Sequence, residues 1–281
     1  MKIEGKRYAV IGNPIAHSRS PEIHELFGQQ TGIALHYERL LAPPADCQRV
    51  IEAFFEGGGH GLNVTLPFKE QAYKLARAHL DTRAQAALAV NTLWMQDGDL
   101  HGSNTDGLGL LQDLIRLGFP PTNRRILLIG AGGAARGVVL PLLQASCHYL
   151  RIINRTADRA AQLAAHVATL VPDAARGLDH GGLDHTEGVW DIVINASASS
   201  LGNTPLVLPG LVYRPDTLAY DMAYGAQTTS FLQNAQDQDV GHIADGLGML
   251  VGQAAASFAI WHGVTPEIEP VLHALRTRLL A

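Results

Sequence analysis

The chain has 281 residues, of which 47% are hydrophobic and 17% are charged, a composition typical of globular proteins with a sizeable core. Its net charge of -5 offers no basic excess for phosphate groups, so nucleic acid is not an expected partner. The two distant cysteines, Cys47 and Cys147, predict reduced thiols, a cytoplasmic location and no metal site. The sequence shows no apolar run long enough for a membrane span and no signal peptide, so association with a membrane is not expected.

Short strand-like runs alternate with helical patterns through the first third of the chain. The runs at residues 8–12, 36–41, 61–66 and 90–95 predict strands. The stretches at residues 21–31, 45–56 and 68–79 predict helices. Because strands that alternate with helices form mostly parallel sheets with helices on their faces, this part is predicted to be an α/β domain.

A helical pattern at residues 106–117 ends where Gly118 and two prolines interrupt it. The apolar run at residues 125–129 then predicts a buried parallel strand. Further strands are predicted at residues 149–154, 190–195 and 217–222, and a last helix at residues 249–261. We therefore predict a two-domain α/β protein, with residues 1–105 as the first, mixed or mostly parallel domain and residues 106–246 as the second.

The strand at residues 125–129 runs directly into a glycine-rich turn that a helical segment follows. The turn consists of Gly130, Ala131, Gly132, Gly133 and Ala134. Glycines let the backbone approach a pyrophosphate, and a helix N terminus offers free N–H groups and a partial positive charge. This context predicts a Rossmann dinucleotide-binding domain; the alternative is a turn that only packs the helix closely on the strand.

The end of the next predicted strand bears on the choice of cofactor. An NAD site usually has Asp or Glu there for the ribose 2′-hydroxyl, but this chain has Asn154, Arg155 and Thr156, with Arg159 shortly after. A guanidinium group can bind a 2′-phosphate, whereas a carboxylate would repel it. The helix dipole disfavours cations in a first helical turn, so a phosphate bound between Arg155 and Arg159 explains their position better than solvation alone. NADP is therefore predicted as the cofactor.

Two residues in helix-start positions predict an acid/base pair. Lys69 follows Pro67, which suits the first position of a helix, and the dipole there disfavours a further positive charge, so the lysine is suited to proton exchange. Asp106 begins the connecting helix, where the dipole favours a carboxylate. The alternatives are a surface lysine and a simple N-cap aspartate.

Polar side chains elsewhere are candidates for binding a hydroxylated ring and its carboxylate, although sequence alone does not gather them into one site. They are Ser18, Ser20, Asn63, Thr65, Asn91, Tyr224 and Gln253. Ser20, which precedes Pro21, could instead cap a helix, and His17 is interpreted as structural.

Eight segments together resemble the shikimate dehydrogenase family, in its order and approximate spacing. They are residues 10–24 (VIGNPIAHSRSPEIH), 61–69 (GLNVTLPFK), 89–93 (AVNTL), 102–111 (GSNTDGLGLL), 129–138 (IGAGGAARGV), 153–160 (INRTADRA), 220–224 (YDMAY) and 245–255 (DGLGMLVGQAA). The glycine turn alone is a weak signal, but the combination is highly specific. The chain departs from the family at Ser197 and Ala198, where Thr and Ser are more frequent, and at Thr228, where Pro is.

The resemblance implies reversible reduction of 3-dehydroshikimate to shikimate with NADPH, in aromatic amino-acid biosynthesis. It implies that Lys69 is the acid/base and that residues 247–281 pack back on the first domain. Substrate contacts are implied for Ser18, Ser20, Thr65, Asn91, Asp106, Tyr224 and Gln253. Cofactor contacts are implied for the glycine turn, residues 154–159, Met222 and Gly246, and by spacing from Lys69 for Asp81. A monomer or homodimer is expected.

Two alternative functions follow from the same residues. A quinate/shikimate dehydrogenase of this fold would use NAD and accept a saturated ring, and an Asp near residue 154 would favour it. A non-catalytic NADP-binding sensor would keep the glycine turn but could lack Lys69 and Asp106. Both residues are present, so the pattern favours an NADP-dependent enzyme.

Overall fold

The computed structural model describes residues 5–197, 199 and 206–280, and its first sheet lies in the N-terminal part of the chain. The strands of this sheet are β1 (Lys6–Gly12), β2 (Leu35–Leu41), β3 (Gly59–Val64), β4 (Thr92–Gln96) and β5 (Asp99–Ser103). They are ordered β2-β1-β3-β4-β5. β1 is parallel to β2 and β3, whereas β4 is antiparallel to β3 and β5, so the predicted sheet is mixed.

The strand predicted at residues 90–95 is confirmed as β4, whereas β5 and the turn that joins the two into a hairpin were not predicted. This turn places Asp97 at φ 54° and Gly98 at φ 91°, the positive values that a two-residue hairpin turn requires. The strands predicted at residues 8–12 and 36–41 are confirmed. The strand predicted at residues 61–66 ends earlier, at Val64, because Phe68 N donates to Thr65 O (3.0 Å) and closes a turn.

Four helices follow or separate these strands. They are α1 (Ser20–Thr31), α2 (Cys47–Glu56), α3 (Lys69–Leu75) and α4 (Thr82–Ala87). The helix predicted at residues 68–79 is confirmed at its start to within one residue, but Pro67 precedes it instead of occupying its first position, and its end was placed too late. The helix starts at Lys69, and the chain turns after Leu75 so that Leu80 can form a bridge with Gly102.

Side-chain alternation gives the first sheet two buried faces. Ala9 and Ile11 of β1 point to the face that α2 and α3 cover. Tyr8 and Val10 point to the opposite face, where they cluster with Tyr37. The apolar strands therefore read as nearly continuous runs rather than as alternating ones.

The second sheet contains six strands, all parallel. They are β6 (Arg125–Ile129), β7 (Tyr149–Ile153), β8 (Leu178–Gly181), β9 (Ile192–Asn195), β10 (Leu218–Asp221) and β11 (His242–Asp245), with α6 (Gly133–Gln144), α7 (Ala157–Leu170) and α8 (Ser230–Gln236) between them. The order β11-β10-β9-β6-β7-β8 reverses between β6 and β9, as in Rossmann domains. This confirms the predicted fold class; β8, β11 and α8 were not predicted.

Three further helices join the two sheets. They are α5 (Asp106–Arg116), α9 (Leu247–His262) and α10 (Ile268–Leu280). α5 and α9 cross so closely that a Cβ on Gly109 would lie 2.4 Å from Met249 O, which is too near for any larger residue without a shift. α9 also contacts α1, where the rings of Phe27 and Phe258 meet edge to face at 5.7 Å. The exact domain bounds at residues 105 and 246 stay a prediction.

Within the ranges that the structure describes, no helix combines the length and the apolar character that a membrane span needs.

Candidate active site

A cavity of about 350 Å³ lies between the carboxyl ends of β1 and β3, the start of α1 and helix α9. Nine of the residues predicted to bind substrate or catalyse line it, together with two predicted to contact the cofactor. The nine are Ser18, Ser20, Asn63, Thr65, Lys69, Asn91, Asp106, Tyr224 and Gln253, and the two are Met222 and Gly246. The fold thus brings together side chains that are up to 235 positions apart in the sequence.

Lys69 and Asp106 form a close ion pair at this cavity. Lys69 Nζ lies 2.6 Å from Asp106 Oδ2, and the side chains are 17% and 8% exposed. Each residue is the first of its helix, α3 and α5. Asp106 does not cap α5, since its carboxylate is turned toward Lys69 and Asn91. The pair therefore offers a proton-carrying group beside a fixed negative charge.

Asn91 connects this pair to the rest of the cavity wall. Its Nδ2 donates to Asp106 Oδ1 (2.8 Å) and to Gln253 Oε1 (3.3 Å). Its Oδ1 accepts from the backbone N of Thr105 (2.9 Å) and from Thr92 Oγ1 (2.8 Å). Because these groups are almost fully buried, the network fixes the Asp106 carboxylate in one orientation.

Ser18 and Ser20 present two hydroxyl groups where the chain enters α1. Ser18 Oγ donates to Ser20 Oγ (3.2 Å), and Arg39 Nε and Nη2 both donate to the carbonyl oxygen of Ser18 (3.0 and 2.7 Å). Ser20 is the first residue of α1, but no side-chain cap is formed there. Two hydroxyls at a cationic loop suit a carboxylate.

Tyr224 completes the wall on the side of the second sheet. Burial raises the pKa of Tyr224 above its ordinary value, although the positive charge of Arg19 lowers it, so the phenol stays protonated and can donate a hydrogen bond.

The glycine-rich turn lies outside the cavity lining, after β6. Gly130 adopts φ 115°, and a Cβ there would come within 3.1 Å of the Ala196 backbone, so glycine is required. Around Gly132 and Gly133 nothing lies within 4 Å of an added Cβ. The first turn of α6 has neither an acidic residue nor a capping side chain. These residues fit the pyrophosphate of a dinucleotide, because a ligand can approach the open backbone at Gly132 and Gly133 and the first N–H groups of a helix have no partner within it.

Arg155, between β7 and α7, and Arg159, in the first turn of α7, are both exposed, and among the described residues neither forms an ion pair. The Asn154 side chain donates to Thr156 O (2.9 Å) and thereby shapes the turn that carries Arg155. Two unneutralised guanidinium groups at the carboxyl end of β7 fit a 2′-phosphate better than a ribose diol.

Asp81 stands apart from the other predicted site residues. Its Oδ1 accepts from Ala84 N (2.8 Å) and caps α4, while its Oδ2 accepts from Arg83 (2.6 Å) and Ser103 (2.7 Å). It does not line the cavity. These contacts give the carboxylate a structural role in the described part of the chain, and cofactor binding by Asp81 stays a prediction.

The residue Ala198, at which the chain departs from the family, lies outside the described residues. Its neighbour Ser197 donates through Oγ to Asn195 Oδ1 (2.7 Å) at the end of β9.

Several cavity residues had no sequence signal of their own. Arg19, Met249 and Leu250 line the cavity, as does His17, which was interpreted as structural. Thr105 and Ser257 lie behind it and connect Asn91 to α9, with Thr105 Oγ1 donating to Gln253 O (3.0 Å). Met249, Leu250, Thr105 and Ser257 are residue types that are common throughout a core, so only the fold reveals their position.

Family models match three parts of the chain. The model of the shikimate dehydrogenase substrate-binding domain matches residues 10–93, that of shikimate/quinate 5-dehydrogenase matches residues 116–204, and that of the shikimate 5′-dehydrogenase C-terminal domain matches residues 246–276.

Relatives and solved structures agree with these matches over nearly the whole chain. Shikimate dehydrogenase (NADP(+)) of Bordetella avium is 56% identical, over 98% of this chain and 97% of the relative. The enzyme of the same name from Chromobacterium violaceum is 49% identical, over 96% and 97%. The crystal structure of shikimate 5-dehydrogenase from Thermus thermophilus with NADP(H) and shikimate superposes with a TM-score of 0.85 at 31% identity, covering 98% of this chain and all of that one (100%). The chain therefore belongs to the shikimate dehydrogenase family.

Proposed function

We propose that this protein catalyses the reversible NADPH-dependent reduction of 3-dehydroshikimate to shikimate. The observation that carries the proposal is the Lys69–Asp106 ion pair (2.6 Å), which lines a cavity rich in hydroxyl and amide groups. Its relatives are named as NADP-dependent shikimate dehydrogenases, which supports the same reaction.

Lys69 is the group that moves the proton. Bound NADPH supplies the hydride for the carbonyl carbon. As the carbonyl oxygen gains negative charge, the Lys69 ammonium group stabilises it and donates a proton; in the reverse direction the amine accepts the proton of the hydroxyl. Asp106 holds Lys69 Nζ in place through its own ion pair and through the bond from Asn91.

The remaining polar residues orient the ring. Ser18 and Ser20 bind the substrate carboxylate, since their hydroxyls lie together at the entrance to α1. The ring hydroxyls are bound by Asn63, Thr65, Asn91, Asp106, Tyr224 and Gln253, all of which line the cavity. This arrangement holds the carbonyl in one orientation toward Lys69, which is the main contribution that positioning makes to catalysis.

NADP occupies the second domain in this proposal. The turn at Gly130, Ala131, Gly132, Gly133 and Ala134 binds the pyrophosphate, and Asn154, Arg155, Thr156 and Arg159 bind the adenosine 2′-phosphate. Met222 and Gly246 hold the nicotinamide end, since they line the cavity from the side of the second sheet. We still expect the protein to be located in the cytoplasm, to be a monomer or homodimer and to act on a small-molecule substrate.

The proposal is tested by following NADPH formation at its absorbance band with shikimate and NADP. We expect turnover with this pair and at least tenfold lower kcat/KM when NAD replaces NADP, because Arg155 and Arg159 lose their phosphate partner. Turnover that is faster with quinate and NAD would overturn the proposal and favour a quinate/shikimate dehydrogenase. Binding of NADP without turnover of either acid would identify a sensor.

Substitution of Ser18 separates substrate binding from cofactor binding. We expect Ser18→Ala to raise KM for shikimate by roughly five- to tenfold, the scale of one hydrogen bond to a charged group, with little change in KM for NADP. Steady-state kinetics with each substrate varied in turn measures both constants. A variant with raised KM for NADP and unchanged KM for shikimate would show that the loop does not bind the acid.

A further inference from the structure

The orientation of the Asn63 side chain is dictated by groups behind the cavity wall. Its Nδ2 donates to the backbone oxygen of Asn91 (3.1 Å), and Ser257 Oγ (3.0 Å) is a second acceptor for the same amino group. A backbone carbonyl can only accept, so the amino group must face it. Both Nδ2 hydrogens therefore have protein partners, and Oδ1 lies on the opposite side of the amide.

Tyr37 supplies the group that meets this oxygen. The Tyr37 hydroxyl donates to Asn63 Oδ1 (2.7 Å), and the residue is 4% exposed. Burial raises the pKa of Tyr37 well above its ordinary value, while a hydrogen bond from Ser20 lowers it, so the hydroxyl keeps the proton that it donates. The ring is fixed by stacking on His24, with centroids 4.4 Å apart and planes 11° apart.

Register explains how residues from β2 and β3 meet across β1. Tyr37 is paired with Tyr8, and Asn63 with Val10, two positions further along the same strand. Tyr37 and Asn63 therefore share the face of the sheet that points to α1 and α9, where they meet His24 and Ser257.

We propose that Tyr37 is a positioning residue of the substrate site, which holds the Asn63 amide so that only its acceptor oxygen is offered to the cavity. This inference rests on the proposed function, because it assigns a chemical preference to one contact of the same site. Asn63 Oδ1 has one further lone pair, whereas Nδ2 has no hydrogen to spare. The site then selects a ring hydroxyl that donates at this point, and it disfavours a ring carbonyl or ether there, since two acceptors would face each other.

A double-mutant cycle tests the inference. Tyr37→Phe removes only the hydroxyl, and we expect it to raise KM for shikimate roughly fivefold with kcat changed less than twofold, since the amide loses the bond that fixes it. In the Asn63→Ala background the same substitution should have no further effect on kcat/KM. Shikimate affinity measured by calorimetry completes the same cycle without turnover.

Tyr220→Phe is the matched control. Tyr220 is also fully buried and donates to a side chain, Asp113 Oδ2 (2.7 Å), but it does not line the cavity. We expect this variant to keep the KM for shikimate of the parent protein. Equal effects of Tyr37→Phe with and without Asn63 would overturn the positioning role, because a general loss of core stability would act in both backgrounds. Failure of the parent protein to use shikimate would instead contradict the proposed function.

Discussion

Lys69 is the residue on which the proposed chemistry depends most directly. We expect Lys69→Ala to lower kcat about 10²-fold or more, the usual scale for loss of a general acid/base, while shikimate still binds. The comparison requires kcat from turnover and shikimate affinity from calorimetry on the same preparation. Lys69→His should restore part of the activity with a different pH profile, because imidazole also exchanges protons near neutrality.

Asp106→Asn distinguishes orientation from proton transfer. It keeps the size of the side chain and removes the charge that lies 2.6 Å from Lys69 Nζ, so kcat should fall less than in Lys69→Ala.

A Lys69→Ala enzyme with near-normal kcat would refute the assignment of Lys69 as the acid/base. One that has lost only its shikimate affinity would make Lys69 a binding residue.

Arg155 tests the cofactor preference at the same scale. Arg155→Asp replaces an attractive partner of the 2′-phosphate by a repulsive one, so the ratio of kcat/KM for NADP over that for NAD should fall by about 10²-fold or more. Arg176→Asp is the control, because Arg176 is an exposed arginine that precedes β8, at the opposite end of the parallel sheet. An unchanged ratio in Arg155→Asp would place the phosphate elsewhere.

The charged residues of the candidate site could be predicted one by one, because charged side chains at helix starts and strand ends are conspicuous, whereas the roles of the polar residues came only from the family resemblance. Lys69, Asp106 and Arg155 each occupy a place where their charge opposes or exploits the helix dipole. Tyr37 and Ser257 could not be predicted in this way. A tyrosine in a strand and a serine in an apolar helix are ordinary core residues until the fold shows that both contact Asn63.

At the scale of elements, close helix packing positions the Asp106 carboxylate. α5 carries Asp106 at its start and crosses α9, and a Cβ at Gly109 would lie 2.4 Å from Met249 O and 2.5 Å from Gln253 N. Both neighbours are backbone atoms, which cannot move aside as a flexible side chain could. Gly109 therefore determines how closely α5, which carries Asp106, approaches α9, which carries Gln253.

Gly109→Ala should accordingly destabilise the protein and impair the site together. We expect a loss of about 1–3 kcal/mol in the free energy of unfolding, the scale of overpacking, with a raised KM for shikimate. Ile115→Ala on the same helix is the control, since the Ile115 side chain is 60% exposed. Urea denaturation and kinetics on both variants provide the comparison. Normal stability in Gly109→Ala would show that the helices can separate without cost.

The apolar strands were predictable, and the strands rich in polar residues or glycine were not. β1, β6 and β7 are apolar runs between clear breaks, and their predicted positions agree with the structure to within two residues. β8 and β11 have four residues each and contain glycine, histidine or aspartate, so periodicity carries little information there. Their place is set by pairing with β7 and β10 in the completed sheet.

For the molecule as a whole, the contact of the first sheet with the C-terminal helices contains a buried histidine, His24, and a half-buried one, His262. His24 on α1 stacks on Tyr37 and lies near Trp261, while His262 at the end of α9 lies against Phe258 (4.2 Å between ring centroids). No hydrogen-bond partner among the described residues meets either ring nitrogen of His24. Burial, aided by the nearby His262, lowers the pKa of His24 to about 3 against the opposing effect of the Asn63 side chain, and burial, aided by Lys6 and His60, lowers the pKa of His262 to about 4.

These shifts make the stability of the whole molecule sensitive to acid. Below the ordinary histidine pKa of about 6.5, the unfolded chain takes up protons that the folded chain does not, so the free energy of unfolding falls as the pH falls from about 6.5 toward the folded values. Above that range the two histidines contribute no pH dependence. By linkage, His24 alone should remove on the order of 2 kcal/mol of stability between pH 7 and pH 4.5.

We therefore expect His24→Gln to flatten the dependence of the free energy of unfolding on pH between 6.5 and 4.5, whatever its effect on stability at pH 7. Comparing slopes cancels the contribution of the carboxylates, which titrate in both proteins, and also that of the lost stacking on Tyr37, which is the same at every pH.

His273→Gln, which removes an exposed histidine on α10, is the matched control. The measurement is urea denaturation at a series of pH values. An identical slope in His24→Gln and the parent would mean that His24 gains its proton within the folded molecule, and that the packing of α1 on α9 is not the acid-sensitive contact.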